Sequence, residues 1–121
     1  MGATLKGIVP MIPAGPRLRD ALSFFEEQLG FTITWESSSQ GIAGIQRDGV
    51  AFTLVENDNK EWANNASFGI SVDDLDGLYQ EFRTIPVRIT PLEIKPWGRR
   101  EFHMIVPSGV CLQFYDATPQ A

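Results

Sequence analysis

The chain has 121 residues, 43% of them hydrophobic and 21% charged, with a formal net charge of −5. That length holds one domain with a real core, and an acidic balance without clustered Lys and Arg argues against a phosphate-backbone binder, so no nucleic-acid partner is expected. The lone cysteine, Cys111, excludes an intrachain disulfide and a cysteine zinc site, and no stretch approaches the length of a membrane span.

In chain order, LKGIVPMI at 5–12 reads as a strand that Pro10 restricts to an edge. This N-terminus is broken by Pro10, Pro13 and Pro16 and reads as no signal peptide, so a reducing, cytoplasmic setting is expected. Residues 17–29 repeat Leu18, Leu22, Phe25 and Leu29 at helical spacing, and Gly30 is a good stop. FTITWES (31–37), GIAGIQ (41–46) and VAFTLVE (50–56) read as strands, the last two joined by a tight turn at Arg47-Asp48-Gly49. Residues 57–65 form a polar connector. ASFGISV (66–72) is a strand. Residues 73–83 are a short helix with Asp73 or Asp74 as N-cap and an apolar face of Leu75, Leu78 and Phe82. VRITPLE (87–93), 101–106 and 110–116 are strands, and 117–121 is a frayed tail.

The order strand, helix, three strands therefore occurs twice. Gly49-Val50-Ala51-Phe52-Thr53-Leu54-Val55-Glu56 matches Gly109-Val110-Cys111-Leu112-Gln113-Phe114-Tyr115-Asp116 in character, position by position. Leu18 and Leu22 fall on Leu78 and Phe82 at the same spacing. We read this as a duplication within one domain, 1–121, with modules at about 4–57 and 66–116. Val106-Pro107-Ser108-Gly109-Val110 fits a hairpin loop with Gly109 in the left-handed position. Pairing Val106 with Val110 puts Phe102, Met104, Val106, Val110, Leu112 and Phe114 on one apolar face. Glu101, His103, Ile105, Cys111, Gln113 and Tyr115 share the other, a candidate ligand surface.

Four pieces carry a family resemblance: Val9-Pro10-Met11-Ile12; Phe24-Phe25 with Leu29-Gly30-Phe31; Val72-Asp73-Asp74-Leu75-Asp76; and Pro96-Trp97-Gly98-Arg99-Arg100-Glu101-Phe102 followed by Pro107-Ser108-Gly109. Together they span almost the whole chain. It resembles the vicinal oxygen chelate superfamily, which includes glyoxalase I and extradiol dioxygenases, and is most similar to its bleomycin-resistance-type proteins. The resemblance implies an α+β fold of two tandem βαβββ modules forming a curved mixed-sheet cleft. It also implies a homodimer, with an N-terminal strand that can be swapped between subunits. Enzymes of the superfamily bind a divalent metal through residues whose places fall near Pro10, Thr53, Ser67 and Gln113. Of these only Gln113 could ligate, and the chain has one histidine, so no metal site, cofactor or catalytic residue is assigned.

The resistance-type proteins sequester a large, flat, cationic drug, which needs aromatic faces for stacking and carboxylates for the cationic part. The resemblance thus implies a metal-free binding protein for a small aromatic or cationic molecule. The candidate ligand-binding residues are Trp97, Trp62, Trp35, Phe68, Glu101, His103, Gln113 and Tyr115, with Phe31 a further aromatic and Asp58, Glu61 and Asp73 further carboxylates. Arg100 is expected to pair across the sheet or a dimer interface. The alternative is a glyoxalase- or dioxygenase-like enzyme with an atypical site around His103 and Gln113.

Overall fold

Leu18, Leu22, Phe25 and Leu29 are all buried, as one stripe of a helix must be. The helix runs as α1 (Leu18–Ser23) and widens into a π-type turn (Phe24–Gln28). Gly30, at φ +74°, ends it, and the Phe31 N–H closes back onto the Phe25 carbonyl at 3.0 Å. The computed structural model describes residues 2–117. The strands are β1 (Met11–Pro13), β2 (Thr32–Ser37), β3 (Ile42–Arg47), β4 (Val50–Val55), β5 (Ser67–Val72), β6 (Arg88–Ile89), β7 (Glu93–Ile94), β8 (Arg100–Ile105) and β9 (Cys111–Asp116). Two more helices, α2 (Lys60–Asn65) and α3 (Leu75–Phe82), precede and follow β5.

The strands form two sheets, ordered β1-β4-β3-β2 and β5-β9-β8-β6, with β7 also paired to β8. In each, the first strand of the unit lies parallel to the last, and the remaining pairs are antiparallel. The β8–β9 hairpin has the expected register: Val106 N–H donates to Val110 O at 3.0 Å, and Gly109 sits at φ +107°. Asp74 is the N-cap of α3, accepting from the Gly77 N–H at 3.1 Å.

One buried cluster joins both sheets. Phe25, Phe31, Phe52 and Phe68 run through it in successive ring contacts of 5.4, 6.3 and 5.7 Å. Arg47 ties the units from outside: it donates to Leu29 O at 2.8 Å, pairs with Glu81 and lies over the Phe82 ring.

Three expected elements differ. The strand expected at 5–12 is formed only at Met11–Pro13, with one further bond from Thr53 N–H to Pro10 O at 2.8 Å; residues 2–9 pair with no strand among the described residues. The connector 57–65 contains α2, which Asn59 caps by accepting from the Trp62 N–H at 3.0 Å. Its one buried residue, Ala63, left no apolar stripe to read. The strand expected at 87–93 is split into β6 and β7 around Pro91, which cannot donate to a ladder. Of the expected frayed tail, 118–121 lie outside the described residues, and the Ala117 N–H donates to Val72 O at 3.0 Å.

This register makes a direct prediction. Leu112→Ala should cost about 3 kcal/mol in urea unfolding, since it opens a cavity in the shared core. Gln113→Ala, one residue on, should cost less than about 1 kcal/mol, because that side chain faces out.

Candidate functional site

Alternation along the second sheet decides which side chains meet. The pairs Glu101↔Tyr115, His103↔Gln113 and Ile105↔Cys111 lie on the outer face of β8 and β9. Ser67, Gly69 and Ser71 of β5 sit opposite Cys111, Gln113 and Tyr115 on that face. Glu101, His103, Gln113 and Tyr115 are therefore brought together, as their spacing suggests.

Glu101 is the centre of this group. It is 0% exposed, yet it lies on the face away from the apolar core. Its burial is made by its partners. Arg99 Nε donates to one carboxylate oxygen, and His103 Nε2 lies 2.8 Å from the other. Burial alone raises a carboxyl pKa. Here the hydrogen bonds from His103 and Arg99 outweigh it and hold Glu101 below its ordinary range. An ionised carboxylate only accepts, so Nε2 of His103 is the donor in this bond.

Arg99 is the member of this network that the sequence alone did not single out. It stacks 3.9 Å above the Tyr115 ring and reaches Gln113 Oε1 with Nη2 at 3.5 Å. Gln113 in turn donates to Ser67 Oγ at 2.8 Å. Gly69 lies beside this stack: a Cβ there would be in ordinary contact with Tyr115 at 3.4 Å and Arg99 at 3.9 Å. The signal was present in the alternation of 99, 101 and 103, which places all three on one strand face. Thr90 fixes His103 from the other side, accepting from its N–H at 2.8 Å and donating to its carbonyl at 2.9 Å.

The aromatic candidates divide. Trp35 lies on β2 opposite Gly44 and is 47% exposed. A Cβ on Gly44 would fall 2.0 Å from the indole nitrogen, so the ring is spread across the glycine on the outer face of the first sheet. Trp97 is 63% exposed in the turn before β8, beside Gly98 at φ +88°. Trp62 is half-buried on α2, without a ring contact to the other candidates. Phe68 is not on the outer face: it pairs with Leu112 and packs on Phe52, because the alternation of β5 turns Phe68, Ile70 and Val72 inward. Phe31 is buried in the core as well.

The carboxylates also differ from expectation. Glu101 is compensated by Arg99, and Asp58 pairs with Lys60 at 2.7 Å. Glu61 is exposed on α2, and Asp73 is exposed at the edge of a groove. Arg100 pairs within the chain, with Asp76 of α3 and, across the sheet, with Asp116 at 3.7 Å. Among the described residues, two grooves bear on the site. One of about 620 Å³ lies between the Asp48-Gly49 turn and α3; another of about 390 Å³ lies between α1 and the β8–β9 turn. Trp35, Trp97, His103 and Gln113 line neither of these; Trp35, His103 and Gln113 lie on outer sheet faces and Trp97 in a turn. Among the described residues, no group of three or more His, Cys, Asp or Glu side chains could hold a metal, and no helix is long and apolar enough to cross a membrane.

The family profile described as Glyoxalase/Bleomycin resistance protein/Dioxygenase superfamily matches residues 11–117. The chain belongs to that superfamily. A search of curated protein sequences gave no match. Among solved structures, the superfamily member resembles the bleomycin-binding protein of bleomycin-producing Streptomyces verticillus in complex with copper(II)-bleomycin. The TM-score is 0.83 at 26% identity, covering 97% of this chain and 100% of that one. A second bleomycin-binding protein, in complex with bleomycin, matches at 0.80 and 22% identity over 94% and 100% of the two chains. The bleomycin resistance determinant encoded on transposon Tn5 matches at 0.77 and 22% identity over 93% and 98%. The last two establish the shared fold of this superfamily member.

The Glu101 network predicts an acid response. A carboxyl whose pKa is lower folded than unfolded stabilises the fold above its ordinary range, and that stability is lost as pH falls through and below it. Asp76, lowered by its hydrogen bond from Arg100, acts in the same direction. The melting temperature should therefore fall as pH drops below about 4.5, and Glu101→Gln should make the fall shallower.

Proposed function

We infer that this chain is a metal-free small-molecule binding protein of the bleomycin-resistance type, which sequesters a planar, cationic ligand in a cleft between two copies of itself. The observation that carries the reading is the indole of Trp35, laid flat over Gly44 and half exposed on an open sheet face. Such a ring offers a stacking platform that the chain's own core does not use. Trp97, exposed in a turn, offers a second. The polar outer face of the second sheet supplies hydrogen-bonding groups. A net charge of −5 favours a cationic partner. The likeness to a bleomycin-binding protein over the whole chain makes bleomycin the first ligand to try.

The dimer is supported by an asymmetry between the sheets. β5 pairs with β9 along six residues, Ser67–Val72, whereas β1 pairs with β4 only along Met11–Pro13. Among the described residues, Val50–Phe52 of β4 thus have no strand partner on that side, while Leu5 and Ile8 stand 98% and 87% exposed. A second copy that exchanges this arm would cover apolar surface and satisfy the strand edge together. It would also close the open faces into a cleft.

Two tests follow. Bleomycin should quench the Trp fluorescence saturably, and Trp35→Ala and Trp97→Ala should each weaken binding by about 2- to 10-fold. No quenching across a panel of planar cations would contradict the reading. Removing residues 2–9 should shift the protein from dimer to monomer in sedimentation equilibrium. A dimer of unchanged strength would exclude arm exchange.

A further inference from the structure

His103 is the chain's only histidine, and its ring is held the way a metal-ligating imidazole is held. Nε2 lies 2.8 Å from the carboxylate of Glu101, which is itself fully buried and fixed by Arg99. Metal-bound imidazoles donate their second N–H to a carboxylate in this manner, which fixes the tautomer and makes the other nitrogen a better donor to metal. The other nitrogen here is Nδ1. It has no protein partner among the described residues, and no buried side-chain nitrogen or oxygen among them lacks one. Nδ1 therefore reaches solvent on the open sheet face. A single imidazole cannot hold a divalent ion, and no cluster of three ligating side chains accompanies it. It can complete the coordination of an ion that arrives already chelated.

We propose that His103 Nδ1 is an axial ligand to a copper(II) ion carried into the site by a planar chelate, so that the protein selects the metal-loaded form of its ligand. The proposal rests on the small-molecule reading above. Copper(II) favours tetragonal coordination by nitrogen and oxygen donors, which leaves weakly held axial positions. The Nδ1 lone pair replaces one axial water. No electron moves; Nε2 keeps its proton against Glu101, and any proton on Nδ1 leaves to solvent as the copper bond forms. Glu101 also offsets the charge of Arg99, so the ion does not face an uncompensated guanidinium. Glu101 is a positioning residue here, and His103 is the ligand.

The test measures the affinity of wild-type protein and His103→Gln for metal-free bleomycin and for copper(II)-bleomycin. It is joined to pulsed electron paramagnetic resonance of the copper complex with uniformly nitrogen-15-labelled protein. Wild type should bind the copper form at least about 10-fold more tightly, and the ratio should fall to about one in His103→Gln. The copper signal should show coupling to nitrogen-15, which the variant loses. Equal affinity for the two forms, or a copper signal free of nitrogen-15 coupling in a complex that does form, overturns the proposal and leaves the small-molecule reading standing. Binding of neither form overturns both. The labelling experiment needs no variant, so it decides the matter even where His103→Gln fails to fold.

Discussion

Val106 and Val110 close the β8–β9 hairpin through one backbone hydrogen bond of 3.0 Å, and every side chain on both strands takes its face from that pairing. Phe102, Met104, Leu112 and Phe114 go into the shared core. Glu101, His103, Gln113 and Tyr115 go out. A slip of one residue would bury a carboxylate and an imidazole among phenylalanines and expose four large apolar side chains. The same choice that stabilises the fold therefore assembles the polar site. Burial of Glu101 is a consequence of its neighbours, since Arg99 and His103 enclose it on an otherwise open face. A carboxylate so enclosed is stable only while both partners hold it.

The two sheets share one strand order but carry different chemistry on their outer faces. The first presents Met11, Thr53, Gly44 and Trp35 in register, an apolar shelf with a flat indole. The second presents Ser67, Gln113 and His103 with Arg99 and Glu101, a hydrogen-bonded network. A ligand held between such faces would meet stacking from one side and polar recognition from the other. Gly44 sets up the first face by the side chain it lacks, since a Cβ there would collide with the Trp35 indole.

Much of this is legible in the residues. The helix stop at Gly30, the turn at Gly109 and the two apolar strand faces follow from local chemistry and period-two alternation, and the structure has them. What escaped depends on contacts between distant segments. The α2 helix has one buried residue, so its pattern is nearly all polar. Phe68 looks like any aromatic until the register of β5 against β9 turns it inward. Arg99 sits beside a second arginine, and only the pleat separates the one that joins Glu101 on the outer face from the one that pairs with Asp76. The arm at 2–9 carries strand-like residues that pair with no strand among the described residues, so local pattern alone overstated the strand.

The central claim is that a pair of these chains holds a small molecule. Native mass spectrometry of untagged protein, released gently from the cells that made it, tests this most directly. The expected result is a dimer with added mass that leaves on activation and whose weight identifies a planar, cationic compound. A dimer carrying a stoichiometric ion bound directly to the bare protein and removed by chelator, or a monomer with nothing bound at any concentration of added bleomycin, would contradict it.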